Sequence, residues 1–351
     1  MATARERFCG AGLMSTSFPP GKLPLGVLDR LLHTYTSSDE RILVGPQVGE
    51  DATVIEFGDT CLVVKSDPIT FATDDIGYYA VHVNANDIAT MGAEPRWFLA
   101  TLLLPEKATD EDLVESIFDS IYRAAAEIGV SVCGGHTEIT VGLDRPIVAG
   151  QMLGEVKKDR LIQSSRLGIG DALLLTKGLG IEATAILAKE KALELEKAGI
   201  GKDVLDRAAN YLYDPGISIL KEARIACRTG RIHAMHDPTE GGVATALREL
   251  AMAASGGLSL RSDALFAAEE TQLLCRQFNL DPLGVISSGA LLIGVEAEDS
   301  EKVRNAIRAA GIPCEIIGKV EEEAFGLKIF DSGTWQELPA FDRDEIGRIF
   351  E

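Results

Sequence analysis

Val83-Asn84-Ala85-Asn86-Asp87-Ile88-Ala89-Thr90-Met91-Gly92-Ala93-Glu94-Pro95 is the stretch on which the reading of this chain turns. It forms the second half of a helix expected over Asp74–Met91, closed by Gly92 as helices often are. Asn84 and Asp87 stand three apart and so share a helix face. Asn-Ala-Asn-Asp breaks an otherwise apolar pattern. Burying such groups costs free energy unless something satisfies them, and a metal or a ligand does so. A solvated stripe is the alternative that periodicity alone leaves open.

Outward from this helix the pattern is mixed. Strands are expected over Ala52–Phe57 and Thr60–Ser66, joined at Gly58-Asp59, with Asp67-Pro68 ending the second. A strand over Trp97–Leu104 follows, then a helix to Glu127 with Thr109 as its N-cap. A short strand, Gly129–Cys133, leads into Gly134-Gly135-His136-Thr137-Glu138, and another spans Pro146–Val156. Near Ser164–Gly170 the chain enters a second run of strands and helices, which includes helices over Ile181–Lys191 and Thr239–Ser255 and strands over Gly289–Val295 and Cys314–Val320. Paired strands mixed with helices indicate an α+β class. The expected layout is a leader over 1–20, an N-terminal domain over 21–165 and a C-terminal domain over 166–351 with helices on one sheet face. The 351 residues exceed what a single core usually holds.

The formal net charge of −20 disfavours nucleic acid as a partner. It also repels free nucleotides, so a nucleotide site here needs Mg²⁺ and backbone N–H donors. The six cysteines, at 9, 61, 133, 227, 275 and 314, form no C-x-x-C pair. Wide spacing argues against a disulfide framework and for a reducing, cytoplasmic setting. No apolar run reaches membrane-span length, and the first eighteen residues lack the apolar core of a signal peptide.

Several short runs carry possible chemistry. In Gly49-Glu50-Asp51-Ala52 and Lys65-Ser66-Asp67 the carboxylates stand at strand ends, where they can converge on one hard cation. Lys65 can meet the phosphate oxygens that such a cation leaves uncovered. Each Asp alone is as readily a turn cap. In the Gly134–Glu138 run two glycines permit close backbone approach to a phosphate. His136 and Glu138 offer a metal ligand or an acid–base group, although a single histidine is more often structural. His236-Asp237-Pro238-Thr239-Glu240-Gly241-Gly242 passes from a strand end into a helix, whose free N–H groups can hold an anion. Lys177-Gly178-Leu179-Gly180 is a turn of similar character. Walker A and Rossmann fingerprints are both missing from the sequence.

Taken in order, these segments resemble the aminoimidazole ribonucleotide synthetase-like (PurM-type) superfamily, which includes thiamine monophosphate kinase, selenophosphate synthetase and hydrogenase maturation protein HypE. Val83–Pro95 is similar to its helix with Asn-Asp followed by Gly-Ala-Glu-Pro. Gly49–Ala52 is similar to its G-[DE]-D-A element, Gly134–Thr137 to its Gly-Gly turn, and Asp237–Gly242 to the D-P-T-R-G-G run of HypE, the nearest branch. The resemblance implies a homodimer formed through the N-terminal sheet, with ATP bound at the cleft. It implies Mg²⁺ on Asp51, Asp67 and Asp87, and catalytic roles for Lys65 and His136. Nucleotide contacts are implied at Gly49, Asp51, Lys65 and Asn86. Further contacts are implied at Gly134, Gly135, Thr137 and Glu138, and at Asp237, Gly241 and Gly242. The implied chemistry is HypE-like, with ATP activating an oxygen of an unidentified small substrate by phosphoryl transfer. The alternative is an ATP-binding maturation partner that does no catalysis. HypE ends in a cysteine, whereas this chain has none after Cys314, so residues 347–351 are expected to be dispensable for turnover. His136 stands where many relatives carry an acidic residue.

Overall fold

A computed structural model describes residues 18, 23–37, 39–47, 49–70 and 74–350. Apart from Phe18, the leader expected over 1–20 lies outside the described residues. In chain order the first half runs α1 (Leu25–Tyr35), β1 (Ile42–Val44), β2 (Thr53–Phe57), β3 (Thr60–Ile69) and α2 (Ile76–Thr90). It continues with β4 (Glu94–Pro105), α3 (Glu111–Ile128), β5 (Ser131–Thr140) and β6 (Ile147–Lys157). The strands form one sheet in the order β1-β2-β3-β6-β4-β5, parallel only between β4 and β5.

α2 is buried almost all round, which explains its weak amphipathic pattern. α3 buries only the stripe Ile117, Ile121, Ala124 and Ala125. Its N-cap is Asp110, which accepts from the Leu113 N–H at 2.9 Å. The expected cap, Thr109, instead donates its hydroxyl to the Pro105 carbonyl at 2.7 Å. Nor does Asp67-Pro68 end β3. β2 pairs only with Thr60–Val64, so the rest of β3 has a free edge that tolerates a residue without an N–H.

The run Gly134–Glu138 is part of β5, not a turn after a short strand. Gly135 has φ +147, and a Cβ there would sit 1.9 Å from the Ala100 carbonyl oxygen on β4. The glycine is therefore needed for close strand pairing within the chain.

The second half comprises β7 (Ala172–Thr176), α4 (Ile181–Glu190), α5 (Ala192–Lys197), α6 (Lys202–Ala209), α7 (Leu220–Thr229), β8 (Ile232–His236) and α8 (Gly242–Ala254). It ends with β9 (Gly257–Arg261), α9 (Glu269–Gln277), β10 (Leu292–Val295), α10 (Ser300–Ala309), β11 (Cys314–Glu321), β12 (Leu327–Asp331) and β13 (Thr334–Glu337). The sheet order is β13-β12-β9-β11-β7-β10-β8. Both faces of β7 are buried. Leu174 joins the cluster that contains residues of α7 and α10, while Leu173 and Leu175 join the one built on α8. The helical layer expected on one face is thus joined by α8 on the other.

The two sheets are held together through α2. Asn86, fully buried, donates to the Ile217 carbonyl at 2.8 Å and accepts from the Ile219 N–H at 3.0 Å. Arg224 grips Glu94 with contacts of 2.7 to 3.1 Å. Among the described residues, no helix is long and apolar enough to cross a membrane.

Candidate functional site

Lys65 and Asp67 alternate along β3 and so point to one face. Asp87 reaches the same point from α2. The Lys65 ammonium lies 3.3 Å from an oxygen of each carboxylate. Asn84, one turn before Asp87, accepts from the Asp67 N–H at 2.8 Å and returns an N–H to the Asp67 carbonyl at 3.2 Å. The polar break in α2 is therefore a buried brace for β3, and no stripe of it faces solvent.

Asp51, just before β2, meets the other domain. His236 ends β8 with Nδ1 2.6 Å from Asp51 and Nε2 2.9 Å from Glu249 on α8. Asp237 follows it, and donor atoms of Asp51, His236 and Asp237 lie within 4.8 Å of one another. Gly49 is fixed by this junction. It has φ +86, and a Cβ there would come 2.7 Å from the Glu249 carbonyl oxygen. Glu50 accepts from the Ser165 N–H at 3.2 Å.

Four buried carboxylate oxygens here have no hydrogen-bond partner among the described residues: Glu50 Oε2, Asp51 Oδ2, Asp87 Oδ2 and Asp237 Oδ2. Burial raises the Asp87 carboxyl well above its ordinary range; Lys65 opposes that rise, and Asp237 and Asp67 add to it. Burial and the Asp51 charge push Asp237 up to about 8. Burial disfavours the Lys65 charge, yet Asp87, Asp67 and Asp51 hold its pKa above the usual value. The same contest holds His236 as an imidazolium, with Asp51 and Glu249 overcoming its burial. Carboxylates that crowd and lack partners form an all-oxygen donor set that suits a hard cation such as Mg²⁺. With Nε2 bonded to Glu249 and Nδ1 in ion-pair contact with Asp51, the His236 imidazolium ties Asp51 to the second domain.

A cavity of about 820 Å³ opens onto this cluster between the domains. Gly49, Asp51, Lys65, Asp67 and Asp87 line one side, and His236, Asp237, Thr239, Glu182 and Ser288 the other. The remaining sequence candidates lie elsewhere in this chain. Asn86, fully buried, bonds the domain junction through both ends of its amide and does not line the cavity. Gly134, Gly135, His136, Thr137 and Glu138 lie on the exposed β5. There His136 pairs with Glu138 at 3.3 Å, away from the cavity. Gly241 donates to Asp344 at 2.7 Å, and Gly242 is pressed against the Leu283 carbonyl, where a Cβ would come within 2.5 Å. Neither glycine lines the cavity. Sequence reasoning assigned no role to His236, Glu249 or Glu182. The histidine's place at a strand end, beside Asp237, was the one available signal.

These features define a two-domain protein whose domains close on an acidic, cation-fitting cleft. Residues 49–156 match the N-terminal domain and residues 168–329 the C-terminal domain of AIR synthase related protein. A putative hydrogenase expression/formation protein of Methanocaldococcus jannaschii is 31% identical over 295 residues, covering 82% of this chain and 84% of the relative. Carbamoyl dehydratase HypE of Azotobacter vinelandii is 32% identical over 286 residues, covering 78% and 80%. A crystal structure of HypE in complex with ATP matches with TM-score 0.70 at 25% identity, covering 92% of this chain and 94% of that one. Thiamine monophosphate kinase from Aquifex aeolicus, at 20% identity and TM-score 0.67, covers 89% and 98% and shares the fold. The chain belongs to the AIR synthase related family.

Proposed function

We propose that this protein is a HypE-like, ATP- and Mg²⁺-dependent enzyme that activates an oxygen of a small substrate by phosphoryl transfer. The observation that carries this reading is the set of partnerless oxygens on Glu50, Asp51, Asp87 and Asp237 beside Lys65. Asp51, Asp67 and Asp87 hold the cation, with Asp237 facing it from the second domain. The bound cation neutralises phosphate charge. Lys65, charged and held by Asp67 and Asp87, orients the phosphoryl oxygens that the cation leaves uncovered. His236 and Glu249 set the Asp51 carboxylate at the domain seam. Support comes from relatives named HypE and from the ATP complex of one of them. Purified protein with MgATP is expected to release ADP slowly, and faster with a true acceptor, the phosphorylated or dehydrated product being identified by mass spectrometry. Tight MgATP binding with no turnover across an acceptor screen would leave a binding subunit instead.

The same reading includes a homodimer. β5 is the open edge of its sheet, and its residues are almost all exposed, Val132 and Ile139 included. An isologous pairing covers that edge and its apolar side chains, and it gives the Gly134–Glu138 run a use that this chain alone does not. Light scattering at micromolar concentration is expected to give twice the chain mass of 37.6 kDa. A monomeric mass would remove the pairing.

A further inference from the structure

Beside the residues of the cation cluster, the cavity is lined by the start of α4. Glu182 stands in the first turn of α4 and lines the cavity at 7% exposure. Ser288 bonds its carboxyl group, but Oε2 has no hydrogen-bond partner among the described residues. Burial pushes this carboxyl up to about 7; Ser288 opposes the rise, and Glu240 and Asp344 add to it. A buried carboxylate with an unused oxygen is costly to the free protein. The Ser288 bond offsets only part of that cost. The nearby lysine on α4, Lys189, is already engaged with Asp75 at 2.9 Å. Tyr79, Ile186 and Ile286 line the same cavity. A hard divalent ion takes six or more oxygens, whereas the groups named here include a ring and two isoleucines. A carboxylate, an aromatic ring and aliphatic side chains instead complement an organic cation with an apolar body.

We propose that Glu182, with Ser288 and Tyr79, forms the acceptor subsite, and that the acceptor carries a protonated nitrogen, an ammonium or a guanidinium group. This rests on the nucleotide reading above and names the substrate class for the same cleft. The cation's charge meets Glu182, its N–H groups reach the free oxygen, and its carbon chain lies along the isoleucines. Placed there, it shares one cavity with the phosphoryl groups held at Lys65. The surrounding carboxylates favour a cation over a neutral amide of the same shape.

The test uses the full chain saturated with MgADP and three probes of one size: n-butylammonium, n-butylguanidinium and butyramide, titrated by ligand-observed NMR. Wild type is expected to bind at least one cation about tenfold more tightly than butyramide. Glu182→Gln keeps the shape and the Ser288 bond but removes the charge. It is expected to abolish that preference while MgADP affinity stays within about twofold. Circular dichroism and melting temperature confirm that the variant is folded, and Ser288→Ala gives a second, milder loss of preference. Absence of any cation preference in wild type, or its persistence in Glu182→Gln, overturns the proposal. So does an equal loss of MgADP affinity, which would place Glu182 in the nucleotide site. Failure of wild type to bind MgADP at all is seen in the first step and counts against the nucleotide reading itself.

Discussion

Asp87→Asn is expected to weaken ATP binding by at least about tenfold in Mg²⁺ and by no more than about twofold in its absence. The difference follows from what the carboxylate does. Asp87 has one oxygen at 3.3 Å from Lys65 and another with no partner. An amide keeps the packing of α2 but cannot hold a cation as an anionic oxygen does. Lys65 retains Asp67 as its partner at 3.3 Å, so the phosphate-facing charge survives the substitution. The two conditions are compared by calorimetry. Equal affinity of variant and wild type for MgATP would remove Asp87 from the metal site.

His236→Asn is expected to cost stability rather than affinity alone. The imidazolium stands between Asp51, on the first domain, and Glu249, on the second. Its removal leaves buried carboxylates facing each other across the seam. Breaking a buried pair in this way costs about 3–5 kcal/mol. The expected observation is a large drop in melting temperature, partly recovered in His236→Asn/Glu249→Gln because one of the two facing carboxylates is then neutral. Added Mg²⁺ is expected to narrow the gap to wild type, since a cation between the domains replaces some of the lost positive charge. A melting temperature unchanged from wild type would show that the seam does not depend on this bridge.

The cleft carboxylates drew attention in the sequence by where they stand, Asp87 because a polar group inside an apolar helix breaks a packing rule. Asp51 and Asp237 stand beside strand ends, whereas Asp67, expected at one, lies within β3. Asn84 and Asn86 break the same rule for another reason. Asn84 braces the Asp67 backbone, and Asn86 bonds the backbone at Ile217 and Ile219, a stretch far away in the chain. A helix pattern reports that a buried polar group must be satisfied, not by what. The Gly-Gly pair on β5 carries the same ambiguity, since within the chain Gly135 is already required by its close approach to the Ala100 carbonyl. The part of the site that escaped the sequence lies on the second domain. Glu182 reads as an ordinary acid at a helix start, and Glu249 as an ordinary helical glutamate. Their burial is decided by how the two sheets meet. Strands β12 and β13 were missed because each is short, and β13 is exposed along its whole length, so no alternation marks it.

The central claim is that this cleft binds ATP through a cation held by Asp51, Asp67 and Asp87. Calorimetric titration of wild type with ATP, in Mg²⁺ and then in EDTA, tests it most directly. The account predicts saturable binding in Mg²⁺ that weakens by at least about tenfold on chelation, because the carboxylates then face the phosphates unshielded. Binding of equal strength with and without Mg²⁺, or no binding in either, would contradict it.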